Sequence, residues 1–171
     1  MFIMTWILFS IIFILLASAA YAAFRGAPWV PTWKRDLRRI EKLAQLKKGE
    51  RFIELGCGTG RVCRHLAKRT EAETFGIELS FLQWAVAHFL SLQWKTTEIF
   101  LGDVFNHNLS SYNVVYMFLM PETYKKLRDK LTSELQSGAR VISYVWPIPD
   151  WTPSYVDRTE GSPDIYLYIK K

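Results

Sequence analysis

The segment Arg51-Phe-Ile-Glu-Leu-Gly-Cys-Gly-Thr-Gly60 constrains this chain more than any other part of it. A short apolar run ends at Glu54-Leu55, glycines follow at 56, 58 and 60, and Arg61-Val-Cys-Arg-His-Leu-Ala67 opens a helical pattern. A strand feeding a glycine turn and then a helix exposes main-chain amides at the helix N-terminus, where a ligand can lie against bare backbone. The spacing is not that of the dinucleotide fingerprint G-x-G-x-x-G, whose third glycine would fall where the chain has Arg61. Glu54, Gly56, Cys57, Gly58 and Gly60 are therefore candidate ligand contacts. A glycine-rich turn that binds nothing is the competing reading.

With 171 residues there is room for one domain and a short extra element. Periodicity predicts an amphipathic helix over 33–47, ended by Gly49, then a strand over Arg51–Leu55 and a helix over 60–69. A strand over 74–77 precedes a helix over 81–94 whose N-cap is Ser80. That helix is apolar on nearly every face, so it is expected to be sandwiched. Strands over 97–101 and 112–118 follow, then a helix from Pro121 closed by Gly138, then a fifth strand over 139–146. Strands alternating with helices imply a parallel sheet covered on both faces. The alternation stops at Trp146-Pro-Ile-Pro-Asp-Trp-Thr-Pro153, which leaves no room for a helix. Residues 154–159 and 164–169 read as a hairpin around Glu160-Gly-Ser-Pro163.

Residues 1–24 carry no charged side chain. About 23 helical residues extend ~34 Å, enough to cross a hydrocarbon core of ~30 Å. A removable secretory signal is the rival, because Ala17-Ser18-Ala19 imitates a cleavage site. Against it, no Lys or Arg precedes the apolar run, and the run continues to Phe24. Residues 25–48 hold eight basic side chains (Arg25, Lys34, Arg35, Arg38, Arg39, Lys42, Lys47, Lys48) and two acids, Asp36 and Glu41. The remaining residues, 49–171, balance at 14 of each sign, so the net charge of +6 sits wholly beside the apolar segment. This predicts a transmembrane anchor (1–24), a basic juxtamembrane linker with an amphipathic helix (25–48) and a domain (49–171) on the cytoplasmic side, or the matrix side in a mitochondrion. A neutral domain argues against a nucleic-acid partner. Cys57 and Cys63 have no metal-ligand spacing and suit a reducing compartment. His65, His88 and His107 share no metal spacing either, so no metal is expected.

Three carboxylates fall at or just after the C-terminal ends of successive strands: Glu54, Glu78 and Asp103. Ligands of open α/β sheets sit at that edge. Glu78 lies 18 residues after Gly60, about where an acid meets ribose hydroxyls in nucleotide folds. A carboxylate is a double acceptor and suits a vicinal diol. Asp103 can accept from an exocyclic adenine amino group, with the amide of Val104 offered to the ring, and Glu54 can meet a ligand ammonium. Leu79, beside Glu78, is counted among the same contacts. S-adenosyl-L-methionine (SAM) carries these groups without a pyrophosphate.

The G-x-G-x-G turn preceded by an acid resembles motif I of the class I SAM-dependent methyltransferases. More widely, the chain resembles the small membrane-anchored protein-lysine methyltransferases whose mitochondrial members modify the adenine nucleotide translocase and the c subunit of ATP synthase. The likeness rests on Ala27-Pro-Trp-Val-Pro-Thr32, Leu55-Gly-Cys-Gly-Thr-Gly-Arg61, Gly76-Ile-Glu78 and Gly102-Asp-Val-Phe105. It also rests on Val114-Val-Tyr-Met-Phe-Leu-Met-Pro-Glu122 and the stretch from Gly138 to Trp151. Many members have Asp where Thr59 stands. The resemblance implies a Rossmann-like class I methyltransferase sheet with a C-terminal antiparallel hairpin, lacking its last helix and preceded by one transmembrane helix. It further implies SAM as cofactor and methyl transfer to a lysine ε-amine of a membrane or membrane-proximal protein.

Such a transfer mainly requires an unprotonated amine aligned with the S–CH3 bond and shielded from water. Glu122 and Trp146 are the candidate acceptor-side residues, with Trp151 as a second wall through cation–π contact. A helix-favouring Glu122 and core tryptophans are the competing readings. A lipid or quinone methyltransferase, or a SAM-binding membrane protein without turnover, remains the alternative function.

Overall fold

The computed structural model describes residues 2–25 and 28–171. Met1 of the expected anchor, and Gly26 and Ala27 of the Pro/Gly-rich segment, lie outside the described residues. In chain order the elements are α1 (Phe2–Arg25), a 3₁₀ turn (Lys34–Asp36), α2 (Leu37–Ala44), β1 (Arg51–Leu55), α3 (Arg61–Arg69), β2 (Glu73–Glu78) and α4 (Phe81–Ser91). After them come β3 (Thr97–Leu101), β4 (Val114–Met117), α5 (Pro121–Glu134), β5 (Arg140–Tyr144), β6 (Tyr155–Asp157) and β7 (Ile165–Ile169).

The sheet runs in the order β3-β2-β1-β4-β5-β7-β6. β1 to β5 are parallel, and β6 and β7 form an antiparallel hairpin added to the β5 edge. The order reverses between β1 and β4, and the glycine turn leaves β1 at that switch point, where open α/β sheets bind ligands.

Side chains alternate across the sheet as the pleat demands. On one face Phe52, Val114, Tyr116 and Ile142 pack under Ile40 and Leu43 of α2 and Val62 and Leu66 of α3. On the other, Ile53, Leu55, Val115 and Met117 pack under Tyr124, Leu127 and Leu131 of α5. The expected two-sided cover is present but unequal, for among the described residues no helix joins β3 to β4 or follows β5.

Several elements are shorter than the sequence pattern suggests. α2 stops at Ala44 because Gln45 adopts φ +44°, although apolar spacing continues to Leu46. β5 ends at Tyr144 because Val145 turns to φ +75°, a strained geometry for a β-branched residue. The larger difference is α4. It buries only Ala87 and Ser91, and Phe81, Leu82, Phe89 and Leu90 of this expected core helix are exposed.

A polar cluster locks α2 to the far end of the sheet. Asp36 is fully buried, accepting from the Tyr144 hydroxyl at 2.6 Å and from Arg39 at 3.0 Å. Arg39 also donates to Asp157 at 2.7 Å and to the Pro163 carbonyl at 3.0 Å. One of the eight basic residues of the juxtamembrane segment, Arg39, is thus a part-buried clamp within the fold.

The apolar helix α1 buries none of its own side chains, yet its last turns touch the domain. The Ser18 hydroxyl accepts from the Phe81 amide at 3.1 Å, giving α4 the first-turn partner expected from Ser80. The Ser80 hydroxyl instead donates to the Gln83 side-chain carbonyl.

Candidate functional site

A substantial cleft lies where the C-terminal ends of β1, β2 and β4 meet the foot of α1, and it encloses ≈ 890 Å³ counted out to solvent. Glu54, Gly56, Cys57, Gly58, Glu78, Leu79, Asp103 and Val104 line it. Gly60, Glu122 and Trp146 are not among its lining residues.

The floor is the glycine turn. Gly56 and Gly58 have φ of +72° and +54°, which a side chain would strain. A β-carbon would also stand 2.7 Å from Leu119 Cδ2 at Gly56, and 2.9 Å from the Trp29 indole at Gly58. Gly60, at φ +69°, is the N-cap of α3 and stands against Ala87 of α4, so its place in the fold is a packing position.

Each acid is held by the turn it faces. Glu78, 8% exposed, accepts from the Gly58 amide at 2.7 Å and the Ser80 amide at 2.8 Å. It thereby ties the end of β2 to the loop after β1. Burial raises its pKa, and those amide bonds work against the rise. Two amides leave a carboxylate with further lone pairs, enough for a diol. Glu54 is buried and accepts from the Cys63 amide at 3.1 Å and the Cys63 thiol at 3.2 Å. Burial pushes its carboxyl up to about 7, with the Cys63 contacts opposing. The thiols of Cys57 and Cys63 are pushed well up by the same burial, which keeps them protonated and inert. Asp103 accepts from the Phe105 amide at 3.0 Å and from the Arg25 guanidinium at 2.7 Å.

Sequence reasoning missed the side of the cleft opposite the turn. Ala19, Ala22 and Arg25 of α1, with Trp29 and Thr32, form that wall. The Thr32 hydroxyl bonds the buried Tyr116 hydroxyl at 2.8 Å, and the Thr32 carbonyl accepts from Arg61 at 2.6 Å. These contacts fasten the segment after α1 across the glycines. The available signal was Trp29 between two prolines, a costly residue for a mere linker. Phe118 and Leu119 close the far end, Phe118 packing edge-on against Tyr144 with centroids 4.8 Å apart.

On the acceptor side, Glu122 is an exposed residue in the first turn of α5. Trp146 is 42% exposed, and Trp151 packs in the core against Tyr168. Among the described residues no group of three or more His, Cys, Asp or Glu is arranged to hold a metal.

The cleft thus joins a bare-backbone turn to three carboxylates, Glu54, Glu78 and Asp103. Residues 54–155 match the ANTKMT methyltransferase domain family. A protein-lysine N-methyltransferase of Saccharolobus islandicus (strain REY15A) is 31% identical, over 83% of this chain and 92% of that protein. The Rattus norvegicus lysine N-methyltransferase of the ATP synthase c subunit is 29% identical over 82% of this chain, which spans only 65% of that protein. Among solved structures, an RNA methyltransferase from Salinibacter ruber in complex with S-adenosyl-L-homocysteine superposes with a TM-score of 0.78. It is 28% identical, over 82% of this chain and 93% of that one. The chain therefore belongs to the ANTKMT methyltransferase domain family, and it is a SAM-dependent methyltransferase of Rossmann-like fold.

Proposed function

We propose that this protein methylates a lysine ε-amine of a membrane-embedded or membrane-proximal protein, held at the bilayer by α1 as a single-pass anchor. The observation that carries the reading is the double wall of the cleft. One side is the methyltransferase turn with Glu54, Glu78 and Asp103, and the other is the foot of an apolar helix long enough to span a bilayer. The relatives named for lysine methylation support the acceptor class.

SAM, when bound, supplies an electrophilic methyl on a sulfonium that needs no further activation. Glu78 would receive the ribose hydroxyls, Asp103 and the Val104 backbone the adenine edge, and Glu54 the ammonium. Gly56 and Gly58 let the ligand approach the main chain. Leu119 and Phe118 limit water at the reacting end, because desolvation keeps an incoming amine neutral. No residue of the cleft is required as a strong base once the lysine enters unprotonated. The transfer would form the N–CH3 bond from the amine lone pair, leave the S–CH3 pair on sulfur and release the ammonium proton to water. Glu122 and Trp146, outside the cleft lining, are proposed to guide the lysine from the rim.

The neighbour from Salinibacter ruber raises an RNA acceptor as the second reading, and the zero net charge of residues 49–171 counts against it. Incubating the full-length protein with methyl-labelled SAM and membranes tests these readings together. Label lost on protease treatment and recovered as methyl-lysine is the expected result. Label extractable into organic solvent identifies a lipid or quinone acceptor, and label lost to ribonuclease identifies RNA; either would displace the proposal.

A further inference from the structure

Helix α4 is exceptional in this fold. It carries no Asp, Glu, Lys or Arg, it lies on the outer side of the sheet, and Ala87 and Ser91 are its only buried residues. Phe81, Leu82, Phe89 and Leu90 look outward, Phe89 with 73% of its surface exposed. A helix turned to water carries a polar outer face, and on this one His88 is the sole exposed polar residue.

We propose that the outer face of α4 rests in the interfacial layer of the bilayer beside α1, so that the domain lies on the membrane instead of hanging from a tether. The inference rests on the anchor reading of α1. Three observations select lipid as the occupant. The first is continuity: the N-terminus of α4 is bonded to Ser18 of α1 at 3.1 Å, so the apolar surfaces of the two helices adjoin. The second is depth. Ser18 precedes Arg25 by seven residues, about 10 Å along the helix axis, and interfacial helices bury their apolar face roughly 5–10 Å below the headgroups. With Arg25 at headgroup level, the N-terminus of α4 falls at that depth. The third is the surroundings. Exposed Trp29 and Trp33 follow the end of α1, and exposed Lys34, Arg35 and Arg38 come directly after, the aromatic and basic belt of a cytoplasmic membrane interface. In this orientation the cleft opens within the interfacial layer, its Ala19 wall about 9 Å below Arg25.

The test uses the full chain in vesicles of mixed neutral and anionic phospholipid, with single nitroxide labels at Phe89→Cys, Leu82→Cys, Phe13→Cys and Lys126→Cys. The native cysteines are both buried and do not compete for label. Each variant is first shown to bind S-adenosyl-L-homocysteine as the parent does, which verifies folding. The expected result is that labels at 89, 82 and 13 are relaxed by oxygen more than by a water-soluble nickel chelate. The label at 126, on α5 across the sheet, shows the reverse ratio. Water-like ratios at 89 and 82 with a lipid-like ratio at 13 overturn this inference and leave the anchor standing. A water-like ratio at 13 overturns the anchor and the inference with it. Immobilised labels at 89 and 82 that neither relaxant reaches mean that protein covers α4, a second copy or another chain, and that also overturns the proposal.

Discussion

At Gly58 a β-carbon would need both a left-handed backbone, φ +54°, and a space that the Trp29 indole fills at 2.9 Å. Gly58→Ala is therefore expected to cost about 1–3 kcal/mol of stability and to weaken S-adenosyl-L-homocysteine binding more than tenfold by the loss of turn geometry. Thermal melts and titration calorimetry measure the two effects separately. Glu54 makes a second prediction, because burial lifts its carboxyl from an ordinary 4.5 to about 7. A ligand ammonium favours the carboxylate, so binding expels up to one proton. Affinity then climbs as pH rises through about 7, and falls again near 8, where the ligand's own α-amino group loses its proton. Calorimetry in two buffers of different ionisation heat reads the proton directly. In the empty protein the raised value has the opposite sign of consequence. Its contribution to stability is complete below about 4.5 and is lost as pH rises through 7, worth about 3 kcal/mol in all. Legibility at this scale was uneven. Glu54, Glu78 and Asp103 were readable because parallel strands end at one edge, so successive strand ends must be neighbours. Arg25 on Asp103 was not readable, since 78 residues separate them and no local pattern links them.

Among the elements, α2 is held by Arg39 as well as by its buried apolar stripe of Leu37, Ile40, Leu43 and Ala44. That guanidinium satisfies Asp36, Asp157 and the Pro163 carbonyl from a site 12% exposed. Arg39→Met strands a fully buried carboxylate, at an expected cost of about 3–5 kcal/mol. Denaturant unfolding measures it, and adding Asp36→Asn in the same chain should recover part of the loss. In the sequence Arg39 was one of a run of cations, indistinguishable from the solvated ones. α4 shows the complementary limit. Its apolar composition was legible, and burial was the natural inference, but composition reports affinity for a nonpolar surface without saying whether that surface is protein or lipid. The sheet itself was legible down to its hairpin. Strand and helix ends shifted where single residues, Gln45 and Val145, took positive φ that no propensity announces.

For the whole molecule, the cleft is shared between the domain and α1, so what binds in it must negotiate with both. Arg25 already occupies one oxygen of Asp103. Arg25→Gln should free that acceptor and tighten S-adenosyl-L-homocysteine binding by up to about fivefold at low salt, with the gain shrinking as salt screens the pair. Calorimetry across a salt series checks this. Weaker binding in the variant would instead make Arg25 a ligand contact.

The bond from the Phe81 amide to Ser18 has a geometric consequence for substrate choice. Swinging the domain away from α1 would exchange that bond for one to water, so it biases the domain toward one setting on the helix. If α1 is the anchor proposed above, a catalytic head biased in this way would act like a depth gauge. Lysines of a membrane protein at one height above the lipid would then be methylated ahead of neighbours a helical turn higher or lower.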